Sequence, residues 1–255
     1  MPTPHGKSVI VTGGSKGIGL AAAEAFASAG CDIAITAQHE TADLHRTAEG
    51  IAAKYNIRAI GIGADVADSA ATRAAVRKAA QDLGGLDIAV INAGICEWKP
   101  IMDVTDEDWL KHVGVNFNGA FYCAQEAARV MLDQGRGGRL IFTSSVGAFR
   151  SNATQTHYCA TKAGMHLLMQ GMALELAPHG INVNAVIPGW IHTDINDKMS
   201  RDPVLMASWL KANCAVGRLG SVEDLKGAFL FLGSKESSYI NGSGITVDGG
   251  MMAQL

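Results

Sequence analysis

The chain has 255 residues, 48% of them apolar and 18% charged, with a formal net charge of −3. That size and apolar content suit one large α/β domain with a sizeable buried core. No basic block marks a nucleic-acid surface, and no apolar run reaches membrane-spanning length. The first residues, Met1 to Lys7, lack the apolar centre of a secretion signal. Five cysteines (Cys31, Cys96, Cys123, Cys159 and Cys214) are scattered, odd in number and free of C-x-x-C spacing, which fits reduced thiols in a cytoplasmic protein. The eight histidines show no metal-ligand spacing, so no catalytic metal is expected.

In chain order, β-branched runs predict strands at 7–12, 32–36, 57–63, 86–91, 138–143, 181–187 and 245–247. Alanine-rich stretches predict helices near 17–29, 41–54, 69–83, 106–132, 153–178 and 221–232. The alternation implies a doubly wound parallel seven-stranded sheet with helices on both faces, in a single domain over 1–255. Ligands should collect beyond the carboxyl ends of its strands. Residues 194–215 break the rhythm. With Met199, Met206, Trp209 and Leu210 among polar residues, they read either as a substrate lid spanning about 190–215 or as a surface excursion.

Two stretches carry chemistry. Gly13, Gly17 and Gly19 lie between the first strand and the first helix. Glycines there let the backbone turn tightly and approach an anion, with the next helix's amides facing it. An ordinary glycine-rich turn would look the same. Tyr158 and Lys162, four apart, share a face of a predicted helix. A neighbouring ammonium would lower the phenol's pKa, so that it could exchange a proton with a carbinol. Ser145, thirteen residues ahead at the end of the fifth strand, could bond the reacting oxygen. His157 points about 100° away from Tyr158 and reads as a helix-face residue, and Cys159 reads as packed.

In this order and separation, Thr12-Gly13-Gly14-Ser15-Lys16-Gly17-Ile18-Gly19 and Tyr158-Cys159-Ala160-Thr161-Lys162 resemble the short-chain dehydrogenase/reductase family, from Lys7 to about Gly250. The resemblance implies a Rossmann fold and an NAD(P)-dependent oxidoreductase. It assigns catalysis to Asn116, Ser145, Tyr158 and Lys162. The helix is expected to open locally at Asn116 to pass a proton relay, and Lys162 to bind the nicotinamide ribose. Ser15, Lys16, Gly17, Ile18 and Gly19 would hold the pyrophosphate, and Asp65-Val66 the adenine. Asn92-Ala93-Gly94 matches the family's N-N-A-G motif except that Ile91 replaces the first Asn, at the expected cost of a local hydrogen bond. In Pro188-Gly189-Trp190-Ile191-His192-Thr193, the Ile191 backbone and the Thr193 hydroxyl would hold the carboxamide. Ala37 stands where NAD-specific members carry Asp, and Gln38 where many NADP-specific members carry Arg. Lys16 tilts the choice toward NADP; Glu40 and the missing Arg leave NAD open, and dual use fits both.

The candidate substrate-side residues are Cys96, Ser145, Gln155, Trp190 and Asn196, with Val146 and Trp98 nearby. Polar groups beside the reacting hydroxyl suit a polyhydroxylated ligand. Gln155-Thr156-His157-Tyr158, Thr193-Asp194-Ile195-Asn196 and Gly94-Ile95-Cys96 resemble segments of the family's bacterial sugar 1-dehydrogenases, which oxidise an aldose to a lactone. A 3-oxoacyl-acyl-carrier-protein reductase is the alternative; it would want a basic patch, for which Arg129, Arg136, Arg139 and Arg150 are available. A non-catalytic nucleotide-binding protein is the alternative of another class, though it would be expected to lose Tyr158 or Lys162. The family also implies a homotetramer, with faces on helices 106–132 and 153–178 and a second interface around Val247–Gly250 and Met251–Leu255.

Overall fold

The computed structural model describes residues 4–193 and 203–253. Seven strands form one sheet: β1 (Ser8–Val11), β2 (Asp32–Ala37), β3 (Ala59–Gly63), β4 (Ile88–Ile91), β5 (Gly138–Thr143), β6 (Ile181–Pro188) and β7 (Gly244–Val247). All pair in parallel, in the order β3-β2-β1-β4-β5-β6-β7. The order reverses between β1 and β4, which opens a crevice at their carboxyl ends.

The strands are continuous apolar runs because both faces are covered. In β1, Ile10 joins one core and Val9 and Val11 the other, as the two-residue period of a strand requires. Helices α3 (Ser69–Leu83), α5 (Gly119–Gln134) and α6 (Thr156–Leu176) cover the first face. Helices α1 (Gly17–Ser28), α2 (Ala42–Tyr55) and α8 (Glu223–Gly233) cover the second. Short α4 (Asp106–His112) starts at a capping box, in which the Thr105 and Asp108 side chains satisfy each other's backbone amides. Among the described residues no helix is long and apolar enough to cross a membrane.

Three details of the elements bear on function. The helix over 106–132 opens at Asn116 as expected: a π-helical turn, Val113–Asn118, separates α4 from α5. The helix expected from 153 begins at Thr156, because Thr154 is left-handed with φ 68° and the Asn152 side chain bonds that of Gln155. In the stretch expected to be irregular lies a further helix, α7 (Pro203–Asn213). Asn196 and most of the segment leading into α7 fall outside the described residues.

Candidate active site

The glycine turn after β1 has a tight backbone of the kind that can approach an anion. Gly13 and Gly17 have φ of 63° and 56°, left-handed values that favour glycine. A Cβ on Gly19 would lie 2.2 Å from the Gly13 carbonyl oxygen and 2.5 Å from Asn92 Nδ2, so no other residue fits. Helix α1 opens at Gly17 with no side-chain cap from Lys16, which leaves its first amides facing outward. The same turn is tied to both neighbouring strands. Gly14 N–H donates to the Thr36 carbonyl on β2 at 3.0 Å. The Thr12 hydroxyl accepts from the amides of Asn92 (3.0 Å) and Ala93 (3.1 Å), just after β4. Asn92 Nδ2 donates to the Thr12 carbonyl at 3.0 Å. Ile91, which replaces an Asn of the family motif, is buried in the core and takes no part in these bonds.

Farther along the carboxyl edge, Gln38 after β2 donates to Asp65 after β3, Nε2 to Oδ2 at 3.1 Å. Asp65 also accepts from the Ala67 amide. Glu40 accepts from the Gly63 N–H and pairs with His45, so its carboxylate is spent on holding the ends of β2 and β3. Val66 is buried and packs where a Cβ on Gly119 would fall. On the opposite side, the Thr193 side chain comes over the glycine turn, 3.7 Å from a Cβ built on Gly17. Gly189 passes so close to Asp248 that a Cβ there would meet its Cα at 2.7 Å. Pro188 ends β6, and Ile191 bridges to Gly220. This chain of sites fits a dinucleotide laid across the switch point.

The four expected catalytic residues gather beyond β4 and β5. Asn116 is fully buried in the π-helical turn. Its Oδ1 accepts from the Ile95 amide at 2.8 Å, and its Nδ2 donates to the Ile95 carbonyl at 2.9 Å and to the Thr161 hydroxyl at 3.2 Å. The Thr161 hydroxyl in turn donates to the Tyr158 carbonyl at 2.7 Å. Lys162 is buried, and its ammonium donates to the Thr143 carbonyl at the end of β5 at 2.8 Å. Ser145 caps the short turn after β5, accepting from Gly147 N–H at 3.0 Å. A Cβ on Gly147 would lie 3.2 Å from Ser145 Oγ and 3.3 Å from Tyr158 Cε1, which puts hydroxyl and phenol ring in one corner. Neighbouring Ser144 points instead into the interior.

The electrostatics differ from the sequence-based expectation. Burial pushes the Tyr158 phenol up, opposed by its hydrogen bond with Ser145. Burial pushes the Lys162 ammonium down to about 8. The Lys162 ammonium bonds the Thr143 carbonyl and sits 5.8 Å from the Tyr158 ring centroid, and burial is the largest influence on the phenol.

The side expected to take the substrate has polar and aromatic walls. Gln155 Nε2 donates to Cys96 Sγ at 3.1 Å, while Gln155 Oε1 accepts from Asn152 at 3.1 Å. Trp98 meets Trp190 edge-on at 5.7 Å, and Trp209 of α7 stacks on Trp190 at 3.9 Å. A cavity of about 60 Å³ is bordered by Val146, Asn152, Trp209 and Met252, among others. Asn152 and Met252 were not expected here. Asn152 lies on a turn with no regular period, and Met252 is brought in by the fold of the C-terminal segment. His157 is fully buried against His112, away from the phenol.

A family profile described as enoyl-(acyl carrier protein) reductase matches residues 13–252. The L-rhamnose 1-dehydrogenase (NAD(P)(+)) of Azotobacter vinelandii is 43% identical over 254 residues, 98% of this chain and 98% of the relative. The L-rhamnose 1-dehydrogenase (NAD(P)(+)) of a Sphingomonas species is 40% identical over 251 residues, again 98% of each. The crystal structure of a gluconate 5-dehydrogenase from Burkholderia cenocepacia, in complex with NADP and tartrate, superposes with a TM-score of 0.93 at 33% identity, covering 98% of this chain and 97% of that one. With likeness of this extent running through the whole sheet and its carboxyl edge, the chain belongs to the short-chain dehydrogenase/reductase family.

Proposed function

We propose that this protein is an NAD(P)-dependent aldose 1-dehydrogenase that oxidises a sugar of the L-rhamnose kind at its anomeric hydroxyl to the lactone. The observation that carries the proposal is the convergence of Asn116, Ser145, Tyr158 and Lys162 beside the glycine turn, facing a wall of amides and tryptophans. The naming of its relatives as L-rhamnose 1-dehydrogenases supports the substrate class.

A bound nicotinamide would supply the two-electron acceptor for a hydride from C1 of the sugar. Tyr158 Oη, as phenolate, takes the proton of the C1 hydroxyl, so that the C1–O bond can become the lactone carbonyl. The Ser145 hydroxyl donates to the same oxygen and stabilises its developing charge. Lys162 holds a positive charge behind the phenol and anchors the ribose. Asn116 keeps the π turn open and the Ile95 loop in place. Gly13 to Gly19 bind the pyrophosphate, Asp65-Val66 the adenine, and Ile191 with Thr193 the carboxamide. Gln155 and Cys96 face the sugar hydroxyls, and α7, whose Trp209 stacks on Trp190, would cover them as a lid.

For the nucleotide, the absence of an acid at Ala37 and the engagement of Glu40 with Gly63 and His45 favour NADP, with NAD also used. The arginines that a carrier protein would need are dispersed. Arg150 borders the cavity beside Trp209, but Arg136 and Arg139 lie at the amino end of β5, Arg136 paired with Asp87, and Arg129 is held by Glu126. This disfavours the 3-oxoacyl reductase alternative. Exposed Leu167 and Leu174, seven residues apart on α6, support a homotetramer, to be checked by sedimentation. Five free thiols support a cytoplasmic location. Trapping the product as a hydroxamate tests the reaction: a lactone is expected, and a ketose or aldehyde product would overturn the C1 assignment.

A further inference from the structure

We infer that His112 is a positioning residue for the substrate, acting through the loop that carries Cys96 and Trp98. His112 is the last residue of α4 and is fully buried. Its Nε2 lies 3.2 Å from the Glu97 amide nitrogen, and its Nδ1 lies 2.8 Å from the Asp108 carbonyl oxygen. A peptide N–H can only donate, so Nε2 accepts and carries no proton. The proton is then on Nδ1, which donates to Asp108. Both ring nitrogens are satisfied in one neutral tautomer.

The loop it holds is pinned at alternate residues. Ile95 bonds Asn116 through both its amide and its carbonyl. Glu97 N–H goes to His112, and Lys99 N–H to the Thr154 carbonyl at 2.8 Å. The residues between these anchors turn their side chains to the site: Cys96 to Gln155, Trp98 to Trp190. Ion pairs Lys111–Glu97 and Lys99–Asp108 brace the same loop against α4 from outside. The central anchor, midway between the two substrate-side residues, is the His112 imidazole.

His157 completes the anchor. It is buried, and its ring meets that of His112 edge-on with centroids 4.2 Å apart. It immediately precedes Tyr158 at the start of α6. The pair therefore joins the substrate loop, the end of α4 and the catalytic helix in one contact. Burial, then the adjacent His112, holds the His157 ring below its usual pKa, which suits two uncharged rings in contact.

This role presupposes that the loop lines the substrate site, as proposed above. The test therefore includes a readout that needs no substrate. Cys96 is the one partly exposed cysteine of five, so its maleimide labelling rate, mapped by mass spectrometry, reports on the loop alone. His112→Phe keeps an aromatic ring against His157, although a bulkier one, but cannot accept the Glu97 N–H. His112→Gln places an amide oxygen where Nε2 stood. For His112→Phe, faster Cys96 labelling and a sugar KM raised about tenfold are expected, the usual worth of one hydrogen bond. Its kcat and nucleotide KM should stay within about twofold, and His112→Gln should restore both readouts. Unchanged labelling in His112→Phe, or a His112→Gln variant as impaired as the phenylalanine one, would overturn the inference. Failure of the unaltered protein to oxidise any sugar would sink the functional proposal instead and leave the labelling result decisive. If His112→Phe does not fold, hydrogen exchange on the unaltered protein decides: the Glu97 amide should be protected, and free exchange there would refute the anchor.

Discussion

Lys162 donates its ammonium proton to the Thr143 carbonyl at 2.8 Å, so the charge that serves the site is buried against the end of β5. Burial lowers its pKa from 10.5 to about 8. Below about 8 both folded and unfolded chains hold the proton, and the buried ammonium is a standing cost to stability. Between about 8 and 10.5 the folded chain has released a proton that the unfolded chain keeps, so stability rises with pH across that window. Lys162→Met should abolish turnover and remove this rise. In urea melts the variant's stability relative to the unaltered protein should be greatest at or below pH 8 and should decline toward pH 10.5. Parallel profiles for the two proteins would show that the ammonium is not desolvated as the structure places it.

Tyr158 is pushed the other way, its phenol raised by burial. A base that must lose its proton before acting works better at higher pH, so sugar oxidation should climb into the alkaline range. Tyr158→Phe should lower kcat by about 10²–10⁴-fold, the usual share of general acid–base catalysis. Any residual rate should lose the alkaline rise, and nucleotide affinity measured by fluorescence quenching should barely change. Near-normal turnover would remove Tyr158 from the chemistry.

Much of this site was legible in the sequence, for identifiable reasons. Strand positions follow from unbroken β-branched runs such as Val9-Ile10-Val11, which need two covered faces. The glycine turn was legible because glycine is favoured at the left-handed φ of Gly13 and is required by the close approach at Gly19. Helix α7 was missed because Trp209 serves a local contact, stacking on Trp190, which leaves no periodic signal in the sequence. The His112–His157 contact was illegible because it joins residues 45 positions apart, each lying on its own helix without a motif. Tyr158's raised pKa could not be read from Tyr-x-x-x-Lys either, since burial and the Thr143 bond are tertiary facts.

Gly19→Ala should disable nucleotide binding while leaving the sheet intact. The added methyl would lie 2.2 Å from the Gly13 carbonyl oxygen, so the turn itself must move. Affinity for NADP by calorimetry should fall at least about a hundredfold, because the proposed pyrophosphate donors are backbone amides of that turn. Undiminished affinity would place the dinucleotide elsewhere.

Ala37→Asp tests the nucleotide assignment. A carboxylate at the end of β2 would repel a 2′-phosphate and accept from ribose hydroxyls. The ratio of kcat/KM for NADP over NAD should drop by about tenfold or more, equivalent to roughly 1.4 kcal/mol. An unchanged ratio would mean that the 2′ position lies away from Ala37 and the Gln38–Asp65 pair.

The most direct measurement is the rise in reduced-nicotinamide absorbance when the purified protein is given NADP or NAD with L-rhamnose, other aldoses, polyols and simple secondary alcohols. Turnover confined to aldoses, L-rhamnose among the best, is the predicted result. No signal with any aldose, together with oxidation of reduced nucleotide by 3-oxoacyl thioesters, would contradict the sugar dehydrogenase account.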